Sequence, residues 1–273
     1  MKIENLFPAI GIGSWRCHAM ASRLFSLLAV LVFQGFSAQA ADSQPLLAIE
    51  GKVLRSFEFN GAPPAPWRAA KGLWKAAEGA MSGEELAADK HGAVLRLPDQ
   101  LQDFVIEYEV MLDGARSTTL SINALKDHMA RIVIMPKAVA IQRDDNDHEG
   151  PDKAVVFARF AADLKPGTWH RVRLEMVGDK MLGKVDDLVA WGSSELFTKP
   201  KAAPGFTVSG QRALIRNFRL CEATLNPNWE AVAATLPKPG AKVIAAPAAA
   251  AKGKGRGKAK GKASAPKKAA ASS

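Results

Sequence analysis

The sequence predicts an all-β chain built as a two-sheet antiparallel β-sandwich, and three observations predict it. From Val53 to Leu225, short alternating apolar segments are separated by Gly, Pro, Asp or Asn, which is the period of strands and not of helices. No stretch in that span reads as an amphipathic helix. The turn signals recur at the close spacing typical of sandwiches.

Ahead of the strands lies an export signal. Arg23 leads into the apolar run Leu24 to Phe33, and Ser37-Ala38-Gln39-Ala40 follows, with Ala38-x-Ala40 marking cleavage before Ala41. That run is well short of the ~20 apolar residues of a spanning helix, and no later segment could cross a membrane. Residues 1–19 make an odd n-region, so translation is read as starting at Met20. Residues 1–40 are therefore expected to be removed, and the product exported to the periplasm, cell surface or medium.

The clearest strand is Asp103 to Leu112. Phe104, Ile106, Tyr108, Val110 and Leu112 share one face, expected to be core, while Asp103, Val105, Glu107, Glu109 and Met111 share the other. Ser117 to Ala124 and Ala130 to Met135 read as two strands joined by the polar turn 125–128. Pro136 closes the second before Ala138 to Arg143 resumes the meander. Thr168 to Val177 alternates His170, Val172, Leu174 and Met176 against Trp169, Arg171, Arg173 and Glu175, and Gly178-Asp179 turns it back into Lys180 to Val185. Ala213 to Ala223 is the last strand, a packed segment runs on to Trp229, and Pro237 and Pro239 end the domain.

Residues 41–237 thus form one sandwich domain, and 238–273, almost wholly Ala, Lys, Gly and Pro, form a disordered basic tail. The formal charge of +10 belongs to that tail: it holds ten Lys+Arg and no acid, whereas 41–237 holds 24 Lys+Arg against 26 Asp+Glu. A flexible polycation binds polyanions by counterion release, so anionic envelope polymers are the expected partners, with a plain linker as the alternative reading. Nothing points to sequence-specific nucleic-acid readout. Cys17 lies in the leader and Cys221 stands alone, so packing and not an internal disulfide must hold the fold.

Read together, Gly72-Leu73-Trp74, Glu78-Gly79-Ala80, Asp103-Phe104-Val105-Ile106-Glu107, Gly167-Thr168-Trp169-His170-Arg171-Val172-Arg173, Gly178-Asp179 and Ile215-Arg216-Asn217-Phe218-Arg219-Leu220 resemble the concanavalin A-like lectin/glucanase superfamily. The branch it most resembles is the 3-keto-disaccharide hydrolase domain family, which is like family 16 glycoside hydrolases. The resemblance spans roughly Leu54 to Glu222. It implies a jelly-roll sandwich of laminin G-like kind and a carbohydrate context, without choosing an activity. Between Asp103 and Trp169 the chain lacks the hydrolase branch's usual Asn-Ser-Gly segment and Tyr-Glu pair.

Glu107 and Glu109 stand two apart on one strand face, about 6–7 Å between Cα atoms, a spacing open to the carboxylate pair of a retaining glycosidase. It is equally the pattern of a solvated strand face. Family 16 enzymes carry Glu-x-Asp-x-Glu there, whereas this chain has Glu107-Tyr108-Glu109 followed by Met111. No catalytic residue is assigned beyond these two candidates.

Asp145, Asp147 and Glu149 place oxygen donors at alternate positions before Gly150, like the first half of a calcium loop. Val156 occupies the position where an EF-hand needs its bidentate Glu, which excludes that motif. A looser calcium site and an acidic surface turn both remain, and calcium is the one cofactor candidate. His91, His128 and His148 lie in polar loops or at strand ends, where they could converge with Asn123, Arg143 and Asp145 on one sandwich edge to bind a polar ligand. Their spacings are not those of zinc ligands. His170, among apolar neighbours, reads as a satisfied buried histidine. Trp67, Trp74, Trp169 and Trp191 read as core anchors, with one of the four open for sugar stacking.

No nucleophile elbow, phosphate-cradling loop or dinucleotide fingerprint occurs in the domain. The expected function is an exported, non-catalytic, lectin-like module that binds carbohydrate or another polar envelope component. A glycoside hydrolase of the 3-keto-disaccharide type and a structural or protein-interaction domain are the alternatives.

Overall fold

The computed structural model of the protein describes residues 44–59, 63–125, 127–145 and 153–244. The expected leader at 1–40, the second half of the acidic loop and the tail beyond 244 lie outside them. Fifteen strands run through the described residues: β1 (Ala48–Phe57), β2 (Arg68–Lys71), β3 (Leu73–Ala77), β4 (Ala80–Glu84), β5 (Ala93–Arg96), β6 (Gln100–Leu101), β7 (Phe104–Asn123) and β8 (His128–Met135); then β9 (Ala138–Arg143), β10 (Val155–Ala161), β11 (Trp169–Val177), β12 (Lys180–Val185), β13 (Leu188–Ser193), β14 (Lys201–Leu225) and β15 (Ala241–Ile244). The helical content is one short helix, α1 (Trp229–Ala233), and two 3-10 turns at Ala87–Asp89 and Glu195–Thr198. None of the described helices is long and apolar enough to cross a membrane.

The segments expected as separate strands at 103–112 and 117–124 are halves of one strand. β7 and β14 are 20 and 25 residues long and pair with each other along nearly their whole length. Both bend at the same level, where Gly114 (φ 80°) pairs with Arg212, Gly210 (φ 89°) pairs with Ala115, and three register shifts follow one another between Ser209 and Ala213. Bulges and glycines at positive φ let a strand turn from one sheet into another. Local alternation survives such a bend, so periodicity sees two strands where the chain makes one.

The bend creates two layers. In the first, β13, β12, β11, the first half of β7 and the second half of β14 lie side by side, and β14 also pairs with β4 and β1. In the second, β10, β9, β8, the second half of β7, the first half of β14, β5 and β2 follow in order, with β6 beside the start of β14. All these pairings are antiparallel; β15, beyond Pro237, adds a parallel pairing to β10.

The core between the layers is the face the alternation marks. Phe104, Ile106, Tyr108, Val110 and Leu112 are buried, as are Val172, Leu174 and Met176 of β11 and Ile132, Ile134, Val139 and Ile141 of the meander. Each such side chain contributes about 1.5–3 kcal/mol by leaving water. Trp67 anchors one end, stacked on Phe206 at 5.6 Å between centroids and edge-on to Phe218 at 5.1 Å. His170 lies on the inner face as expected, with Nδ1 2.7 Å from Asp186 Oδ2. Cys221 is free and buried.

Candidate functional site

With both inner faces committed to the core, chemistry is left to the two outer faces. On the first layer, one end of that face is apolar. Leu47, Val105, Val177, Leu182 and Trp229 form a second small core there, with Trp191 edge-on to Trp229 at 5.1 Å. Asn226 ties the cover down by donating from Nδ2 to the carbonyls of Pro45 (2.9 Å) and Leu46 (2.8 Å).

Beside this cover runs a band of charges that satisfy one another. Arg173 reaches Glu50, Glu107 and Glu175, each at 2.5 Å, and Arg219 bridges Glu50 and Glu107 from the next strand. Glu175 is fully buried and also accepts from the Ala48 N–H at 2.7 Å. Burial pushes the Glu175 carboxyl above its ordinary pKa despite Arg173. At Glu50, burial works the same way but is outweighed by Arg173 and Arg219, which hold the carboxyl low. Glu109 accepts from Arg216 Nε at 2.6 Å and Asn217 Nδ2 at 3.3 Å, and Arg216 in turn lies over the Trp169 ring at 3.9 Å.

Glu107 and Glu109 thus share a face as the sequence suggested, but their oxygens are occupied by guanidinium groups. A general acid or nucleophile needs a carboxyl facing substrate, and these face arginines. Of the four tryptophans, Trp67 and Trp74 are buried and Trp169 and Trp191 half-buried, so none offers an open ring. Arg216 and Trp229 account for the latter two.

The outer face of the second layer is different. No helix or apolar cluster among the described residues packs on it. Cross-strand register aligns Arg68, Arg96, Gly205, Ser121, Arg131, Gln142 and Val156 in one row over seven strands, roughly 29 Å at the spacing of adjacent strands. The neighbouring row is Val94, Thr207, Thr119, Val133, Ala140 and Arg159. These are hydroxyls, an amide, arginines and small apolar groups.

Arg96 crosses this face lying down. A Cβ at position 205 would sit 2.7 Å from Arg96 Cδ and 2.3 Å from the Leu95 carbonyl oxygen, so only glycine leaves room for the arginine stem. Arg96 Nη1 then donates to Ser121 Oγ at 2.8 Å and to the Ala203 carbonyl at 3.4 Å. From the other side of Ser121, Arg131 holds its Nε 2.6 Å from Oδ2 of the buried Asp144. Burial, and after it the like charge of Arg131, lowers the Arg96 pKa.

At one end of this face the structure gathers most of the residues expected to bind ligand. His128 Nδ1 is 3.2 Å from Asn123 Oδ1, and Arg143, which donates from Nη2 to the Lys153 carbonyl at 2.5 Å, leads directly into Asp144 and Asp145 at the end of β9. His91 is not with them. It precedes β5 at the bend end, its Nδ1 2.8 Å from the Gly92 carbonyl oxygen, roughly 20 Å along the strand direction from Asn123. Of the calcium candidates, Asp145 is described, while Asp147 and Glu149, like His148, lie outside the described residues. Among the described residues no three His, Cys, Asp or Glu side chains cluster as metal ligands.

Arg96, Ser121 and Arg131 were not singled out by sequence. Each sits at an outward position of an alternating strand, which is a legible signal, but only register shows that they share a row.

No family model matches the sequence, and no curated protein matches it. Solved structures do. The chain is similar to a protein of unknown function with a galectin-like fold from Bacillus subtilis, with a TM-score of 0.51 at 10% identity, covering 66% of this chain and 100% of that one. It is also similar to the laminarinase from Rhodothermus marinus (TM-score 0.49, 14% identity, 65% and 99% covered) and to the carbohydrate binding module CBM66 from Bacillus subtilis (0.46, 15%, 57% and 95%). At such identities the likeness speaks for fold alone. With the strand pairings above, the likeness to a galectin-like fold supports a two-layer antiparallel β-sandwich.

Proposed function

We propose that this chain is an exported, non-catalytic, lectin-like module that binds carbohydrate along the outer face of the second layer. The observation that carries the proposal is the row Arg96, Ser121, Arg131 and Gln142: aligned polar groups on a sheet face that no described helix or apolar cluster covers, with Arg96 donors that meet no acceptor among the described residues to offer a polyhydroxylated ligand. The fold supports it, because the superfamily that the sequence resembles contains lectins. The non-catalytic part is supported by the guanidinium partners of Glu107 and Glu109.

Export is supported by the apolar run Leu24 to Phe33 and the small residues before Ala41; N-terminal sequencing of the protein recovered outside the cytoplasm should begin at Ala41. The Lys-rich segment after Ala251 is read as an electrostatic tether to anionic envelope polymers, an attachment that should weaken steeply with salt.

The deciding experiment measures thermal unfolding of the protein across a panel of neutral and acidic polysaccharides, with and without calcium, and assays the same mixtures for released sugar. A saturable upward shift with no release is expected. Sugar release abolished by Glu107→Gln or Glu109→Gln would replace the proposal with a glycoside hydrolase, and a flat response to every glycan would leave a structural domain.

A further inference from the structure

We infer that the glycan bound on this face is acidic, and that its carboxylate or sulfate group seats between Arg96 and Arg131 above Ser121. The inference rests on the carbohydrate-binding reading and specifies the substrate class of that same face.

Charge count at the site is the first ground. Arg173, on the other outer face, has three carboxylates within 2.5 Å. Arg96 has none within 4.0 Å among the described residues, and Arg131 has Asp144 alone. Two half-buried arginines therefore flank Ser121 in the row, and only Arg131 has a carboxylate partner among the described residues. Half-burying a cation beside a like charge is costly, and an incoming anion relieves both terms.

Donor geometry is the second ground. Arg96 spends only Nη1, on Ser121 Oγ and the Ala203 carbonyl; its Nε and Nη2 hydrogens meet no acceptor among the described residues. Gly205 lays the side chain flat, and Ser121, almost completely buried, fixes its guanidinium plane. A planar fork held in place with free donors matches a carboxylate or one edge of a sulfate by paired charge-assisted hydrogen bonds. A neutral hydroxyl would use a single one of them.

The test is calorimetric titration of the full chain, at about 0.15 M salt to suppress loose contacts with the basic tail, using three short probes: a galacturonate trisaccharide, a sulfated galactose trisaccharide and the neutral galactose trisaccharide. Expected is saturable binding of an acidic probe at least about tenfold tighter than the neutral one, equivalent to ~1.4 kcal/mol. The tighter of the two acidic probes identifies carboxylate or sulfate as the group read. Arg96→Gln should remove that margin, and Ser121→Asp, which places a carboxylate where the ligand's would go, should remove it independently. Arg171→Gln, an exposed arginine of the other layer, should leave it unchanged. Melting temperatures of all variants are measured alongside, so that loss of binding is separated from loss of fold. Equal affinity for the three probes, unmoved by Arg96→Gln, would overturn the inference while sparing the carbohydrate reading. Acidic binding that survives Arg96→Gln and Ser121→Asp but disappears with added salt would assign it to the tail and overturn the inference too. Failure of all three probes to bind would sink both.

Discussion

The two outer faces of the sandwich carry similar side chains in opposite circumstances. On the first layer, Arg173, Arg216 and Arg219 sit among Glu50, Glu107, Glu109 and Glu175, and the end of the sheet is roofed by α1 and residues 44–47. On the second, Arg131 pairs with Asp144, Arg96 has no carboxylate partner among the described residues, and nothing described roofs them. The contrast teaches that an arginine's role is set by whether the fold has already supplied its anion. Where it has, the residue braces the sheet; where it has not, the residue is available to a ligand.

The sharpest way to break this comparison is Arg173→Met. It strips three carboxylates of a partner at once and leaves fully buried Glu175 with backbone N–H groups alone, so a loss of about 3–5 kcal/mol is expected, read by denaturant unfolding. A loss below about 1 kcal/mol would mean that the charge band does not brace the sheet. Next in size is Gly205→Ala, whose new methyl would collide with the Leu95 carbonyl and the Arg96 stem. Overpacking of this kind costs about 1–3 kcal/mol, and the variant should also lose ligand affinity because Arg96 must lift off the sheet.

Glu50→Gln probes the first face by pH. The folded-state pKa of Glu50 is depressed, so its stabilisation is present above the unfolded value of about 4.3 and is lost as pH falls through the lower folded value. Wild type should exceed the variant by up to about 1 kcal/mol near neutrality, with the gap closing below about pH 4; a gap that widens on acidification would contradict the assignment. Glu175 runs the other way. Its raised folded value means its contribution is complete below the unfolded pKa and declines as pH rises through the folded one, so the two glutamates partly offset each other in the pH profile of the wild type. The smallest effect belongs to Arg96→Gln, expected to change stability within about 0.5 kcal/mol by denaturant unfolding. A loss like that of Arg173→Met would show that Arg96 too is a brace.

The alternation at 103–112 was enough to mark Phe104 through Leu112 as core, since period-2 patterning reports which face is apolar without reference to any partner. His170, placed by its neighbours Val172 and Leu174, follows the same logic. Spacing alone marks Glu107 and Glu109 as a carboxylate pair; what occupies them are arginines 66 and 112 positions away for Glu107 and 107 away for Glu109. His91 was grouped with Asn123 because both are polar and near strand ends, but strand ends come in two kinds and only topology tells them apart.

By itself, then, the sequence determined the strand character of the chain, its core face and the Lys-rich composition after Ala251, because these depend on composition and on neighbours within a few residues. The tertiary structure decided that the segments at 103–112 and 117–124 are one long bent strand, that the strand expected at 213–223 begins at Lys201, that Arg173 meets Glu50 across 123 positions and that Arg96 meets Ser121 across Gly205. These depend on register, and register is set by how whole layers pack: a single-residue shift of β14 against β7 would turn every β14 side chain to the opposite face.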